Sequence, residues 1–345
     1  MPRLLSIDLA KGFTVLFIPA IHVIMLYSNN DVHDSIFSLP FRFIAEWPGA
    51  QLLMFLMGMG FSFSKRPASH RIKRATMILI TGYLLNLLKF LWLYWLGWLP
   101  VNLVTDLKFS HSGSTALNLF LIGDILQFAA IALFIMMVIK RFRYHAAIAI
   151  SIAYLIVVAS PLAWDWHHSN IVIDHWLHLV GGRTPDAFFP LVPWLMYPLI
   201  GLAIGSYFQS PLSSVKPIAC SGAFLLIAGY GMQLLPLHFP NTLFWRTYPD
   251  KTIMHLGFVM FWVSLWFWME PHAKKYSKNY FVRMLSFCSR HITAIYLLQW
   301  MVIFWMLPLF GYHNLGIVET MTTIPFIYFI VFIPVYIYHK FGLRK

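Results

Sequence analysis

Long apolar windows are the feature that most limits the folds open to this sequence. A window of about 20 apolar residues is long enough to cross a bilayer as a helix, and about ten such windows follow one another along the chain. Of the 345 residues, 59% are hydrophobic and only 11% are charged, and the mean hydropathy is +0.70. The sequence therefore predicts an all-α polytopic membrane protein with about ten transmembrane helices, and residues 1–345 are predicted to form a single integral-membrane domain. The helices are predicted over residues 9–27, 45–64, 75–98, 115–139, 145–163, 188–208, 217–235, 252–270, 291–310 and 320–339.

Lysine and arginine side chains collect in alternate connections between these predicted helices. Because such side chains concentrate on the cytoplasmic side of membrane proteins, the alternation predicts that both termini are cytoplasmic. We expect the protein to lie in a bacterial inner (plasma) membrane. The formal net charge of +13 is then a signal of orientation, and no nucleic-acid partner is expected. No small-residue cleavage site follows the first apolar run, which is therefore predicted to remain as the first transmembrane helix.

That first helix carries three ionisable residues, Asp8, Lys11 and His22. Such residues are rare inside membranes because they are costly there unless they are paired or hydrated. Lys11 and His22 are eleven positions apart, which places both side chains on nearly one helix face, about 16 Å apart. Asp8 is close enough in sequence to pair with Lys11. Pro19 should kink the helix and release backbone carbonyls near Val15.

Further polar residues fall mainly in the outer half of the predicted membrane region, which predicts a hydrated cavity open to the outside. Lys89 and Asp124 lie at similar predicted depth on consecutive helices, so a structural ion pair is an alternative to a functional role. For Glu46 and Gln51 the alternative is helix capping or an interfacial position. The members of this polar set are His22, Glu46, Gln51, Asn86, Lys89, Asp124, Gln127, His255 and Gln299.

The connection over residues 164–187 is rich in histidine, aspartate and tryptophan, and Asp174 lies within it. One interpretation is an amphipathic segment at the membrane interface with a tryptophan belt. The other is a wall of an acceptor site, where aromatic rings stack on a sugar and carboxylates bind its hydroxyls or amine. Adjacent His167 and His168 point in different directions on a helix, so no tight ligand set emerges and no metal is expected.

Basic clusters occupy residues 65–74 and 283–290 on the predicted cytoplasmic side. They can attract anionic lipid headgroups, or they can bind a phosphorylated cofactor through residues such as Arg71, Arg74 and Arg290. An anionic donor at the cytoplasmic face and a hydrated site facing outward together suggest acyl transfer across the bilayer, or else transport.

Five segments in this order resemble the heparan-α-glucosaminide N-acetyltransferase catalytic-domain family and, more distantly, the wider transmembrane acyltransferases that include acyltransferase family 3. They are residues 6–22 (SIDLAKGFTVLFIPAIH), 48–65 (PGAQLLMFLMGMGFSFSK), 123–134 (GDILQFAAIALF), 189–206 (FPLVPWLMYPLIGLAIGS) and 285–300 (LSFCSRHITAIYLLQW). The resemblance implies an integral-membrane enzyme that takes an acyl group, typically acetyl, from cytoplasmic acetyl-CoA or another acyl-CoA. It also implies an extracytoplasmic saccharide or glycolipid acceptor. Membrane lipids are expected partners, and an oligomer is compatible with the sequence.

Two positions depart from the pattern of these relatives. Their first-helix motif, Arg-x10-His, is matched by Lys11 and His22, which keeps the charge but loses the planar guanidinium. Where relatives often have Tyr-Leu-x-His, this sequence has Tyr296 followed by Gln299 at the histidine position. Asp124, in the segment GDILQ, is also less usual in such relatives.

Acyl transfer needs a base for the acceptor and donors for the developing oxyanion. The hypothesis is that His22 is the base, or alternatively a transiently acylated nucleophile, because histidine titrates near working pH. Asp124 and Gln299 would assist catalysis, while Lys11, Arg71, Arg74 and Arg290 would hold the CoA phosphates. Glu46, Gln51, Asn86, Lys89, Asp174 and His255 are the predicted substrate-binding residues. The competing hypotheses are a proton-coupled transporter or a lipid or glycolipid flippase, and an inactive relative that acts as a scaffold.

Overall fold

A computed structural model describes residues 4–109, 114–235 and 244–342. The regular structure of these residues is helical. Their β-type hydrogen bonding consists of two isolated β-bridges, Ser28 with Leu315 and Gly123 with Ala187. The longer helices are α1 Leu5–Tyr27, α2 Ala50–Phe63, α3 Ala68–Asn86, α4 Ile125–Ile139, α5 His145–Ala159, α6 Ile171–Gly181, α7 Met196–Tyr207, α8 Val215–Leu234, α9 Pro249–Lys275, α10 Tyr280–Arg290, α11 Ile292–Phe310 and α12 Ile317–Gly342. Short helices span Asn30–His33, Leu39–Ile44, Trp92–Trp95, Val101–Asp106, Thr115–Leu121 and Leu191–Trp194, with 3-10 turns at Ile36–Ser38 and Ser160–Ala163 and π-helical turns at Ala45–Gly49 and Leu87–Leu91.

Within the described ranges, 7 helices are long and apolar enough to cross a membrane. An all-helical membrane protein is therefore confirmed, whereas the count of about ten and the cytoplasmic placement of both termini stay predictions. The 7 segments are Leu5–Tyr27, Ala68–Trp95, His145–Ala163, Val215–Leu234, Pro249–Lys275, Ile292–Phe310 and Ile317–Phe341, and each coincides with a predicted span.

The predicted span over 115–139 differs most from the structure, because it is broken in the middle. One short helix ends at Leu121, and α4 begins only at Ile125. The carboxylate of Asp124 accepts the backbone N–H of Ile125 and caps the new helix, and Gln127 completes a capping box. A capping residue in extended conformation ends the regular path of the chain. Periodicity missed this break because the residues on both sides are equally apolar.

The predicted spans over 45–64 and 188–208 are also divided. The first begins with the π-helical turn Ala45–Gly49, which contains Glu46 and Pro48, and continues as α2. The second consists of Leu191–Trp194 and α7, with a non-helical residue at Val192 before Pro193. Proline removes a backbone donor and restricts the residue before it, so interruptions at these positions have a local cause.

The described chain divides into two compact units. Of the described residues, the first contains 50–86, 109, 114–235 and 244–268, and the second contains 4–49, 87–108 and 269–342. The single-domain prediction stays a prediction.

In the first unit, α2 and α7 approach each other through glycines. A Cβ atom added to Gly58 would lie 2.0 Å from the carbonyl oxygen of Pro198, and one added to Gly201 would lie 2.0 Å from that of Phe55. A Cβ atom added to Gly205, one turn after Gly201, would lie 2.8 Å from Cβ of Ser62 in α2. Small residues spaced in this way let membrane helices pack backbone against backbone. The contact therefore depends on the absence of side chains at these positions.

We expect Gly58→Ala to destabilise the protein by about 1–3 kcal/mol, because the new methyl group overlaps a backbone oxygen that cannot move freely. Gly60 lies on the same helix, and a Cβ atom added there would meet no described atom within 4 Å. Gly60→Ala is therefore the matched control, and it should be neutral or stabilising by up to about 1 kcal/mol through helix propensity. Thermal unfolding of the two variants in detergent measures the difference, and equal midpoints would refute the close packing at Gly58.

In the second unit, α1 is packed among α10, α11 and α12. A Cβ atom on Gly12 would lie 1.9 Å from the carbonyl oxygen of Leu285, so α1 and α10 also meet without an intervening side chain. At the other end of α1, the hydroxyl of Tyr27 donates to the carbonyl of Ile303 in α11 at 2.6 Å. These contacts hold α1 against α10 near its start and against α11 at its end, and His22 lies between them.

Candidate functional site

His22 belongs to α1 in the second unit, and its side chain contacts α11. Its ring is half-buried and stacks on the indole of Trp300, with ring centroids 3.9 Å apart and an interplanar angle of 30°. The Nδ1 atom of His22 lies 3.0 Å from Oε1 of Gln299. Because an amide oxygen only accepts hydrogen bonds, Nδ1 must carry the proton in this arrangement. In a neutral imidazole with its proton on Nδ1, the lone pair is on Nε2, which is the form that a general base requires.

The residues that hold His22 also carry buried hydrogen-bond donors. Among the residues that the structure describes, neither Nε2 of Gln299 nor Nε1 of Trp300 has a hydrogen-bond partner, although both atoms are buried. Gln299 is 0% exposed and Trp300 is 8% exposed. A buried N–H without an acceptor costs about 1–3 kcal/mol. Buried N–H groups beside a histidine can donate hydrogen bonds to an oxygen atom of a bound substrate.

Lys89 is the cation next to this cluster. Its side chain is buried, and its ammonium lies 4.7 Å from the centroid of the Trp300 ring and 4.6 Å from that of Phe90. Contacts of a cation with aromatic faces are favourable, especially away from water. Lys89 belongs to the π-helical turn Leu87–Leu91, and such turns occur frequently at functional sites. The positive charge of the Lys89 ammonium stabilises a negative charge that develops on a substrate near the Trp300 ring.

Pro19 lies inside α1, as the sequence predicted, and the helix continues past it to Tyr27. The carbonyl of Leu16, next to Val15, accepts the hydroxyl of Tyr328 from α12. A backbone carbonyl nearly two turns before His22 is thus bonded to a side chain of another helix.

The opposite end of α1 contains Asp8 and Lys11. Asp8 is buried and accepts a hydrogen bond of 2.9 Å from the hydroxyl of Ser289 on α10. Lys11 is half-buried next to Gly12, where α1 and α10 touch. Arg290, at the end of α10, is exposed and donates to the carbonyl of Ser286. The structure therefore brings Lys11 and Arg290 onto two helices in direct contact, while the predicted pairing of Asp8 with Lys11 stays a prediction.

In the first unit, Asn86, Asp124 and Gln127 are gathered at the break before α4. The amide nitrogen of Asn86 donates to the carbonyls of Phe120 and Ile122 at 3.0 and 2.8 Å. Gln127 donates to the carbonyl of Ile122 and accepts the N–H of Asp124. These contacts satisfy the backbone groups that the break exposes. They give Asn86 and Asp124 a structural role that the sequence did not suggest, and the ion pair of Lys89 with Asp124 stays a prediction.

Arg71 lies at the C-terminus of α2, together with Lys140, which the sequence analysis had not selected. Arg71 donates to the carbonyl of Ser64 at 2.8 Å, and Lys140 donates to the carbonyls of Phe61 and Ser62. Burial and the neighbouring Arg71 charge lower the pKa of Lys140. Cations are stabilising at the negative end of a helix dipole. Arg71 therefore has a capping role here, whereas Arg74 is exposed on α3.

The remaining predicted substrate-binding residues belong to both units. Gln51 on α2 and His255 on α9 are buried in the first unit, whereas Glu46 is exposed in the second. Their predicted roles stay predictions.

Asp174 is buried on α6 in the first unit, within a cluster of polar residues. Oδ1 of Asp174 lies 3.5 Å from Nδ1 of His167 and 3.7 Å from Nε2 of His178, and it accepts the backbone N–H of His168. The sequence predicted no tight ligand set in this segment. The structure brings the side chains of His167, Asp174 and His178 together, because the loop before α6 folds back over the helix. Nearby, a hydrogen bond from Arg246 holds the pKa of Asp165 below its usual range.

Trp300 is the residue of the His22 cluster that sequence reasoning missed. In the sequence it is one of 14 tryptophans, and nothing distinguishes it from the aromatic residues that fill a membrane helix. The one signal in the sequence was its position directly after Gln299. A buried tryptophan N–H group usually has a hydrogen-bond partner, so a tryptophan beside a polar residue in a membrane helix is a candidate for a polar role.

Comparison with known families adds an independent observation. The chain matches the family model of acyltransferase family 3, described as an acyltransferase domain, over residues 4–339. Comparison with curated proteins and with solved structures gives no match. The family match extends from α1 to α12, includes the His22 cluster, and supports the activity of a membrane acyltransferase. The chain therefore belongs to acyltransferase family 3.

Proposed function

We propose that the protein transfers an acyl group, with acetyl as the expected case, from cytoplasmic acyl-CoA to an amine or hydroxyl of an extracytoplasmic saccharide or glycolipid, with His22 as general base. The observation that carries this proposal is the His22 cluster. It combines a histidine in the tautomer of a base with buried donors on the two residues that hold it. These are the groups that acyl transfer requires.

The proposed reaction begins when Nε2 of His22 takes the proton from the acceptor hydroxyl or amine. The acceptor atom forms a bond to the thioester carbon, and the carbonyl oxygen becomes an oxyanion. Collapse of this intermediate breaks the carbon–sulfur bond, and His22 returns its proton to the CoA thiolate. Gln299 keeps Nδ1 protonated and stabilises the ring orientation throughout. His22 is therefore both the base and the acid of the cycle.

Oxyanion stabilisation is assigned to the N–H groups of Gln299 and Trp300, with the charge of Lys89 in support. Both N–H groups are in place before the substrate binds and are shielded from water. Preorganised donors in such surroundings are worth far more than in water, because they need no reorientation during the reaction.

Lys11 is proposed to hold the CoA phosphates, with Arg290 beside it on α10. Lys11 and His22 lie on one helix, about 16 Å apart along its axis, so α1 connects the donor phosphates with the reacting carbon. We expect Lys11→Met to weaken acyl-CoA binding about 10- to 100-fold, the usual effect of losing a charge-assisted hydrogen bond. Lys11→Arg should retain binding, because it keeps the charge.

Isothermal titration of acyl-CoA into the purified protein measures this effect. The control is Lys73→Met, which removes an exposed lysine of α3. Equal affinity of the Lys11→Met variant and the wild type would remove Lys11 from the donor site.

The identity of the acceptor and the narrower resemblance to heparan-α-glucosaminide N-acetyltransferases belong to the proposal. Glu46, Gln51, Asn86, Asp174 and His255 are retained as candidate acceptor contacts. The expected setting is the bacterial inner membrane, with its lipids as partners and both termini cytoplasmic.

The experiment that tests the function measures release of the CoA thiol by the purified protein in the presence of a panel of amino sugars and glycolipids. Release that depends on the acceptor, with an acylated product found by mass spectrometry, supports the enzyme. Movement of a sugar or lipid across proteoliposomes without covalent change and without thiol release would instead support a transporter or flippase.

A further inference from the structure

Three side chains of the segment between α5 and α7 converge at one point that is not part of the His22 cluster. They are His167, in the loop before α6, and Asp174 and His178, which are one turn apart on α6. The separation of four residues places Asp174 and His178 on one helix face. The loop brings His167 over this face, where its ring meets that of His178 edge to face.

The distances between the potential ligand atoms match the coordination shell of a small divalent ion. Nδ1 of His167 lies 3.2 Å from Nε2 of His178, and Oδ1 of Asp174 lies 3.5 and 3.7 Å from these two atoms. Ligand atoms bound at about 2.0–2.1 Å with tetrahedral angles are about 3.3 Å apart. The three atoms are therefore already spaced as ligands.

The surroundings of the cluster also favour an ion. The side chains of Asp174 and His178 are 9% and 2% exposed, whereas that of His167 is 45% exposed and leaves the cluster open on one side. Asp174 is oriented by the backbone N–H of His168 at 2.9 Å, as ligating carboxylates are held by a surrounding hydrogen bond. Two buried ligands on a rigid helix and one at the surface form a site with an entry route.

We propose that His167, Asp174 and His178 bind a divalent transition-metal ion of the zinc type, with a fourth position left for water or a ligand. Two imidazoles and one carboxylate suit zinc and its first-row neighbours, whereas calcium and magnesium prefer oxygen ligands alone. This site belongs to the first unit and does not depend on the function proposed for His22.

The test is Zn²⁺ titration of the full-length protein, purified in detergent and stripped with a chelator, followed by calorimetry and by metal analysis after dialysis. We expect uptake of about one ion per chain and an increase in the thermal unfolding midpoint, because an ion that binds only the folded state stabilises it. His167→Ala is the principal variant, because its exposed side chain can be removed without a cavity. It should weaken Zn²⁺ binding by more than about tenfold and leave the midpoint of the metal-free protein unchanged.

The matched control is His168→Ala, which removes the exposed neighbouring imidazole but keeps the backbone N–H that holds Asp174. It should bind Zn²⁺ like the wild type. Asp174→Asn should lose binding as His167→Ala does. Absence of Zn²⁺ uptake by the wild type, equal binding by His167→Ala, or equal affinity for Mg²⁺ and Zn²⁺ would each overturn the proposal and leave a hydrogen-bonded histidine pair.

Discussion

Replacing His22 with alanine is expected to lower kcat/KM for acyl transfer by about 100- to 10,000-fold, the range typical of a lost general base. The imidazole is the basic group of the cluster, and its protonated Nδ1 is fixed by Gln299. Acyl-CoA should bind the variant with unchanged affinity, since the proposed phosphate contacts lie at the other end of α1. Steady-state thiol release and calorimetric binding of the donor measure the two quantities separately.

His272→Ala is the control for this variant, because it removes an exposed histidine from the last turn of α9. It should retain full activity. Activity of His22→Ala within a few-fold of wild type would show that another group accepts the proton.

The second large effect is expected at Trp300. Trp300→Phe keeps an aromatic ring for His22 to stack on but removes the indole N–H proposed for the oxyanion. Loss of one such donor costs about 100- to 1,000-fold in kcat in a well-studied protease, and we expect a decrease of about 100-fold here with little change in KM.

Trp305→Phe is the matched control, since Trp305 lies on the same helix and its indole donates to the carbonyl of Leu88 at 3.2 Å. That variant should lose about 1 kcal/mol of stability and keep its kcat. If both variants lose activity equally, the donor of Trp300 has no special role, and the effect is one of packing in α11.

The sequence was sufficient to predict the class of fold, and it selected His22 for the candidate site, where its role stays a prediction. Seven predicted spans coincide with helices of the structure because a long apolar window has few alternatives to a membrane helix. His22 was selected because an ionisable residue in such a helix is rare. Gln299 was selected as a polar residue inside a predicted span, and its contact with His22 follows from the packing of α11 against α1.

Other features depend on contacts that no local pattern encodes. Asp124 was interpreted as a buried group in a continuous helix, whereas its carboxylate starts a new one. The convergence of His167 with Asp174 and His178 requires the loop to fold back over α6, and neighbouring histidines in sequence gave no indication of it. The ion pair of Lys89 with Asp124 stays a prediction, whereas the contacts of its ammonium with the rings of Trp300 and Phe304 depend on the packing of α11.

The most direct test of the role of His22 is a single-turnover experiment. The purified protein is saturated with labelled acetyl-CoA and mixed with an amino-sugar or glycolipid acceptor, and the acetylated product is then measured over time. We expect product from the wild type, whereas His22→Ala should hold the donor unreacted. Product formed at the same rate by His22→Ala, or a wild type that binds the donor and never acetylates an acceptor, would contradict the account.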